Sequence, residues 1–144
     1  MANYTTTVNS QMSAEEAFDY LSDFSTADEW DANTVSSDRI NNGAFGVGDK
    51  YTVVTKFAGR EMTLTYETVE FERPNRVVLK SSNGSTKIKD TMTFKAAGSG
   101  STVTYDANIE LQGLTKVLDP VFTLVFKRVG DRAAEGLKEK LRAK

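Results

Sequence analysis

The sequence contains no histidine and no cysteine among its 144 residues. The absence of cysteine excludes disulfide bonds and thiolate chemistry. The absence of histidine removes the commonest metal ligand and the usual general base at neutral pH, so Ser–His and Cys–His catalysis are excluded. Any chemistry would depend on Asp, Glu, Tyr, Lys or Arg side chains or on a bound cofactor. No residue pattern points to a cofactor or a metal site, and we expect neither.

The chain also lacks an excess of one charge and a long hydrophobic run. Its 18 basic and 20 acidic residues leave a formal net charge of -2, unlike the strongly basic balance of nucleic-acid binders. The segment Met1–Gln11 is polar and lacks the apolar centre of a signal peptide. The apolar stretch Val117–Val129 is interrupted by three charged residues and is too short to span a bilayer. We therefore expect a cytoplasmic protein with no nucleic-acid partner and no stable membrane insertion.

Alternating strand segments, separated by short turns, dominate the chain. The predicted strands are Tyr4–Ser10, Asn33–Ile40, Tyr51–Phe57, Met62–Phe71, Arg76–Ser81, Thr86–Lys95 and Thr102–Leu111. The turns between the last five strands are short, and Asn83-Gly84 is a strong hairpin signal. Short turns favour antiparallel neighbours, so the sequence predicts an antiparallel sheet of about seven strands.

Two short helices are predicted between the first two strands. Ser13 precedes two glutamates and a run of apolar residues, which predicts an N-cap and a helix that ends near Asp23. The segment Ser25–Trp30 predicts a second short helical turn, capped by Ser25 or Thr26. The neighbouring acidic residues Asp23, Asp28, Glu29 and Asp31 favour loop and capping roles, because their spacing does not indicate metal ligation.

A long amphipathic helix is predicted from Lys116 to Arg142. Asp119-Pro120 suits its beginning, since proline is favoured in the first helical turn. Its apolar stripe consists of Leu118, Phe122, Val125, Val129, Ala133, Leu137 and Leu141. One such helix next to a large antiparallel sheet predicts that the sheet closes over it.

The last two strands can be placed in register from their hydrophobic alternation. If residues 97–100 form the loop, Lys95 faces Thr102 and every apolar side chain falls on one face of the hairpin. The exception is Asp90, which lies opposite Ala107 on the apolar face. A carboxylate in that position is costly unless it is paired or protonated.

The order of these elements resembles the helix-grip fold of the START-like and pollen-allergen-like superfamily (SRPBCC), particularly its polyketide cyclase/dehydrase and lipid-transport branch. Four segments carry the resemblance: AEEAFDYLSDFSTADEW, with Phe18, Leu21, Asp23 and Trp30; GVGDKY; FERPNRVVL; and KDTMTFKAAGSGSTVTYDANIEL. The resemblance covers nearly the whole chain. It implies an α+β fold with a curved antiparallel sheet of about seven strands wrapped around the C-terminal helix, and a single domain spanning residues 1–144.

The resemblance also implies an internal cavity for lipids, polyketides, hormones or other apolar molecules. Aromatic and apolar side chains that could line such a cavity are Trp30, Tyr51, Phe57, Leu64, Tyr66, Met92, Tyr105, Phe122 and Phe126, with Asp90 among them. Aromatics with a few hydroxyl groups suit a planar apolar ligand with a polar edge. The alternative is an ordinary filled core, in which Trp30 plugs the base between the short helices and the sheet.

Asp90 is the candidate catalytic residue. A raised pKa would let its carboxyl group act as a general acid or base, with Tyr66 or Tyr105 donating a proton to an oxyanion. The alternative is a structural hydrogen bond to a tyrosine or threonine, or an ion pair with an arginine. The family has no universal catalytic set, so the resemblance assigns no catalytic residue.

Three classes of function remain open from the sequence. The first is a non-enzymatic carrier or sensor of a small hydrophobic molecule such as a lipid, polyketide or aromatic metabolite. The second is an enzyme, an aromatase, cyclase or dehydratase that works without metal or histidine and uses Asp90 and tyrosines. The third is a protein-interaction module that uses the outer face of the sheet. The sequence does not specify an oligomeric state.

Overall fold

The computed structural model describes residues 2–57, 59–83, 86–111 and 120–142. The strands in these ranges are β1 Ala2–Ser10, β2 Thr34–Arg39, β3 Lys50–Phe57, β4 Arg60–Glu72, β5 Arg76–Asn83, β6 Thr86–Ala97 and β7 Gly100–Leu111. The helices are α1 Ala14–Ser22, a short 3₁₀ helix Phe24–Thr26, α2 Ala27–Trp30 and α3 Pro120–Arg142. Each predicted strand and helix is present, and most ends differ by a few residues. The predicted start of the long helix, residues 116–119, lies outside the described residues.

All seven strands form one curved antiparallel sheet in the order β1-β7-β6-β5-β4-β3-β2. The predicted register of the last hairpin is confirmed, with Lys95 opposite Thr102 and Asp90 opposite Ala107. Strand β1 forms one edge of the sheet and pairs with the last strand, β7. Strand β2 forms the opposite edge and pairs with β3. The short helices follow β1, and the long helix α3 is the last element of the chain. This architecture is the expected helix-grip fold.

The first short helix begins as predicted, and the second lacks a side-chain cap. The Ser13 hydroxyl accepts a hydrogen bond from the Glu16 amide, and the Glu16 carboxylate accepts one from the Ser13 amide, both at 3.1 Å. Thr26 is the N-cap residue of α2, one of the two residues predicted, but its side chain makes no capping hydrogen bond. The Asp23 carboxylate caps the preceding 3₁₀ helix, accepting from the Ser25 amide at 3.1 Å and the Ser25 hydroxyl at 2.6 Å. Hydrogen bonds to an ionised carboxylate are stronger than those to a hydroxyl oxygen.

Helix α1 covers the part of the sheet formed by β5, β6 and β7. Phe18 on α1 is completely buried and meets Phe71 and Phe94 edge to face, with ring centroids 5.0 and 5.3 Å apart. These edge-to-face pairs fill the space beneath α1. The core beneath α1 is therefore filled by packed aromatic side chains.

Helix α3 packs against β1 and α2. In its second half the predicted apolar stripe is buried at Ala133, Leu137 and Leu141, of which the two leucines are fully inaccessible. The side chains of Leu118, Phe122 and Val125, the other bulky members of the stripe before Val129, lie outside the described residues. The Leu141 carbonyl accepts hydrogen bonds from the Gln11 amide and the Ser10 hydroxyl, each at 3.4 Å, which ties the end of α3 to the end of β1.

Gly136 lies where α3 crosses α2, and the absence of a side chain permits the contact. A Cβ atom built on Gly136 would overlap the backbone carbonyl oxygen of Trp30. Replacing glycine by alanine in a helix normally stabilises a protein by up to about 1 kcal/mol. We expect Gly136→Ala to lower the free energy of unfolding by about 1–3 kcal/mol instead, as overpacking does, because one of two backbones must shift. Urea denaturation measures the difference.

Glu135→Ala is the matched control for this prediction, since the neighbouring side chain is exposed on the same helical turn. Its effect should stay within about 0.5 kcal/mol, as is usual for surface positions. A Gly136→Ala variant more stable than the wild type would mean that α3 and α2 do not meet at this point.

Candidate functional site

A partly enclosed pocket of about 90 Å³ lies between the inner face of the sheet and α3. Strands β3, β4, β6 and β7 supply one wall, and α3 with the residues around α2 supplies the other. The apolar lining residues are Phe24, Val53, Met62, Leu64, Ile88, Ala107, Ile109, Val129 and Ala133, with Gly130 among them. The polar lining residues are Asp31, Thr34, Thr55, Tyr66, Asp90 and Tyr105. The pocket is therefore mostly apolar with a compact polar side.

The pocket brings together four of the candidate residues named from the sequence, namely Leu64, Tyr66, Asp90 and Tyr105. Alternation along the strands explains this, because all four point to the inner face. Three other candidates are buried but do not line the pocket: Trp30, Tyr51 and Met92. The side chains of Phe57, Phe122 and Phe126 lie outside the described residues.

Trp30 and Tyr51 pack within the core beside the pocket. The Trp30 ring meets Tyr105 edge to face at 5.7 Å and Phe24 at 6.3 Å, so it supports two residues that do line the pocket. The Tyr51 hydroxyl donates to the Ser22 carbonyl at 3.3 Å. Within the described part of the chain, the Trp30 indole N–H has no hydrogen-bond partner. Trp30 therefore packs against two of the pocket-lining side chains without lining the pocket itself.

Asp90 lies at the centre of the polar side of the pocket. Its carboxyl group is buried at 3% exposure, and one oxygen accepts a long hydrogen bond of 3.4 Å from the Tyr105 hydroxyl. Burial, reinforced by the charge of Asp31, raises the pKa of Asp90 to about 7, against a smaller lowering by the Tyr105 hydroxyl. At neutral pH the group is therefore poised between its acid and its carboxylate.

Asp31 is the second carboxyl group at the pocket, and it is held very differently. One oxygen accepts from the Asn33 amide and the Asn33 side-chain N–H₂, both at 2.9 Å, and the other accepts from the Thr34 hydroxyl at 3.1 Å. Burial raises the pKa of Asp31, while these hydrogen bonds and the charge of Arg132 oppose the rise. Three hydrogen bonds to its oxygens favour the ionised form of Asp31 over that of Asp90.

Asn33 connects this carboxyl group to the closing helix. Its side-chain N–H₂ also donates to the Val129 carbonyl of α3 at 2.8 Å. The residue is 4% exposed, so the three-way contact is shielded from water. Asp31, Asn33 and Val129 therefore hold the helix side of the pocket in a fixed position relative to β2.

Two tyrosines complete the polar side. Burial and the neighbouring carboxylates raise the pKa values of Tyr66 and Tyr105 well above their usual range, so both hydroxyls stay protonated. Tyr105 donates to Asp90. The Tyr66 side chain lines the same pocket, where its hydroxyl can act as a donor or an acceptor towards a ligand.

Three residues that the sequence did not indicate also line the pocket, namely Phe24, Asp31 and Thr34. The pattern around Asp31 indicates caps and loops, and Asp31 does make hydrogen bonds of that kind. Nothing in this local pattern indicates that Asp31, the residue after α2, lies at the same pocket as Asp90 on β6. Val53, Met62 and Ile88 could have been found, because strand alternation puts them on the same face as Leu64 and Asp90.

In the described ranges, no group of three or more Asp or Glu side chains could hold a metal ion. Within the same ranges, no helix is both long enough and apolar enough to cross a membrane.

The chain belongs to the polyketide cyclase/dehydrase and lipid transport family, whose model matches residues 1–142. No curated protein sequence matches the chain significantly. The family match agrees with the resemblance found in the sequence. It defines a class of proteins in which both enzymes and lipid carriers occur, as the family description states.

Solved structures with the same fold include a START superfamily protein from Mycobacterium smegmatis, with 14% identity, a TM-score of 0.78 and coverage of 98% of this chain and 97% of that one. The Zhui aromatase/cyclase from Streptomyces sp. R1128 has 12% identity and a TM-score of 0.70, covering 96% and 90%. A STAR-related lipid transfer protein fragment from Xanthomonas axonopodis has 11% identity and a TM-score of 0.73, covering 96% and 85%. At these identities the likeness establishes the fold.

Proposed function

We propose that residues 1–144 form one binding domain that carries or senses a small hydrophobic molecule in the pocket between the sheet and α3. The observation that supports this most directly is the pocket itself, an apolar enclosure with a few convergent polar groups on one side. The family also includes lipid transport, which agrees with a carrier. The cytoplasmic location expected from the sequence is part of the same proposal.

The volume of the pocket limits the ligand. About 90 Å³ is well below the roughly 300–1,000 Å³ of pockets that enclose drug-sized ligands. Such a pocket suits a molecule of about one ring, or one end of a longer molecule. The polar side favours a molecule with at least one hydrogen-bonding group, because a purely apolar ligand would leave the buried Asp90 carboxyl group with only its long hydrogen bond to Tyr105.

Filling the pocket tests the proposal. Ala107 faces Asp90 across the hairpin and lines the pocket, so Ala107→Leu places three more carbon atoms in the ligand's space. We expect this variant to weaken binding of benzyl alcohol, a neutral one-ring probe, at least about tenfold because the probe and the new side chain compete for the same volume. Titration followed by NMR shifts of the pocket methyl groups measures the affinity.

The control is Asn108→Leu, the next residue on the same strand, which points to the outer face. It should leave probe binding unchanged. If the wild type does not bind benzyl alcohol, or if Ala107→Leu and Asn108→Leu behave alike, the pocket is not a binding site. Native mass spectrometry of the protein purified from its own host then identifies the natural ligand when a pocket is confirmed.

A second candidate is an enzyme of the cyclase or dehydratase type. It is favoured by one observation, the raised pKa of Asp90 to about 7 next to the Tyr105 hydroxyl. A group that is half protonated at neutral pH can both take and return a proton. Turnover of the co-purified ligand that disappears in Asp90→Asn distinguishes this enzyme from a carrier, which binds the ligand and releases it unchanged.

A further inference from the structure

We infer that the pocket selects a ligand with a protonated amine on a small apolar body, an inference that rests on the proposed binding function. The polar side of the pocket presents a buried carboxyl group, Asp90, and a half-buried one, Asp31, and no described lining residue is a lysine or an arginine. The class of ligand that complements this arrangement is a primary or secondary alkyl or aromatic amine. A fatty acid or another anion would face repulsion from both aspartates.

The charge balance around the pocket supports an incoming cation. Buried carboxylates in other proteins are normally paired with a cation or a metal. Here Asp31 is compensated by hydrogen bonds and, from a distance, by the exposed Arg132. Asp90 has one long hydrogen bond to Tyr105 within the described chain. An ammonium group placed at Asp90 would supply the missing counter-charge.

The hydrogen-bonding groups also fit an ammonium donor. An ammonium presents up to three N–H donors and no acceptor. Asp90 offers carboxylate oxygens, and the hydroxyl of Tyr66, a residue that is 7% exposed and lines the pocket, offers a further acceptor. These groups come from strands β6 and β4, so a single nitrogen between them would be held from two sides.

Aromatic faces border the same space. The rings of Phe24 and Tyr66 lie 5.0 Å apart in a tilted arrangement, and both residues line the pocket. A cation near the face of an aromatic ring is attracted by the ring quadrupole, more strongly where water is excluded. The apolar lining and the aromatic rings thus accept the body of an amine, while the carboxyl groups accept its charge.

Three one-ring probes of similar size test the inference: benzylamine, benzyl alcohol and benzoate. At pH 8 we expect benzylamine to bind about 10- to 100-fold more tightly than benzyl alcohol, the range of one charge-assisted hydrogen bond. Benzoate should bind more weakly than the alcohol. Isothermal titration calorimetry on the full chain gives the three affinities under identical conditions.

Asp90→Asn should remove most of the preference for benzylamine while changing the affinity for benzyl alcohol less than about threefold. In the wild type, the affinity for benzylamine should fall about tenfold between pH 8 and pH 6, because Asp90 takes up a proton over this range. The groups that act on Asp90 are Asp31, Asp106 and the two tyrosines, which stay protonated. Asp38→Asn, which removes an exposed carboxylate from β2 that does not line the pocket, is the control and should retain both the preference and the pH dependence.

The outcomes separate this inference from the proposed function. Binding of benzyl alcohol with equal or weaker binding of benzylamine would refute amine selection and leave the pocket as a neutral binding site. Tight binding of benzoate would refute it as well. Failure of all three probes to bind would refute both proposals. Thermal melting of each variant confirms that a loss of binding does not come from unfolding.

Discussion

Replacing Asp90 by Asn is expected to raise the free energy of unfolding at pH 8 relative to the wild type, and to raise it far less at pH 5. The reason is the pKa of Asp90, which burial raises from its ordinary value of 3.8 to about 7 in the folded protein. Between these two values the folded state binds a proton that the unfolded state has released. Stability therefore falls as the pH rises from about 4 to about 7.

The size of the effect follows from the width of this interval. At about 1.4 kcal/mol per pH unit, the carboxylate costs up to roughly 4 kcal/mol above pH 7. The neutral amide that Asp90→Asn puts in place of the carboxyl group carries no such cost. We expect the stability difference between Asp90→Asn and the wild type to be roughly 2–3 kcal/mol larger at pH 8 than at pH 5.

Guanidinium denaturation curves at several pH values measure this difference directly. The control is Asp38→Asn, which removes an exposed carboxylate on β2 that does not line the pocket. Its stability difference from the wild type should not vary with pH to a comparable extent. A difference for Asp90→Asn that stays constant from pH 5 to pH 8 would show that Asp90 ionises normally in the folded protein.

The position of Asp90 could be predicted from the sequence because strand register is a strict constraint. A slip of one residue in the β6–β7 hairpin would move every apolar side chain to the outer face. The register that buries Phe94, Met92 and Ile88 therefore also buries Asp90. Leu64 and Tyr66 also lie on the inner face, but the sequence identifies them as candidates by their apolar and aromatic character and not by a register.

The division between pocket and filled core could not be predicted in the same way. Met92 and Tyr105 are directly opposite each other on the inner face, yet Tyr105 lines the pocket and Met92 is enclosed by the core. Whether an inward-facing side chain lines a pocket or fills the core depends on how the helices pack over that part of the sheet. That packing depends on contacts between elements far apart in sequence, which alternation along one strand does not report.

Asp31 and Gly136 show the same limit in two other ways. The hydrogen bonds of Asp31 are local and resemble an ordinary loop, while its place at the pocket comes from the packing of α2 against α3. Gly136 looks in the sequence like a weak point in a helix. Its role depends on the backbone of Trp30, which lies far earlier in the chain. Both roles become apparent only when the helix is in place over the sheet.

Removing α3 is expected to abolish cooperative folding. Leu137 and Leu141 are fully buried, and burial of two such side chains contributes about 3–6 kcal/mol. That is comparable to the lower part of the ~5–15 kcal/mol net stability of a typical domain. The apolar inner face around Trp30 and β1 would also lose its cover. We therefore expect a fragment of residues 1–115 to aggregate or to melt without a cooperative transition.

A shorter truncation is the matched control. A fragment of residues 1–141 keeps Leu141 and its carbonyl, which accepts hydrogen bonds from Ser10 and Gln11, and it should melt cooperatively within a few degrees of the full chain. Circular dichroism melting and size-exclusion chromatography compare the two fragments. If the fragment of residues 1–115 were monomeric and melted cooperatively, the sheet would be stable without α3. The helix would then be an accessory to the fold, and a pocket that depends on it for one wall would not be a permanent feature of the protein.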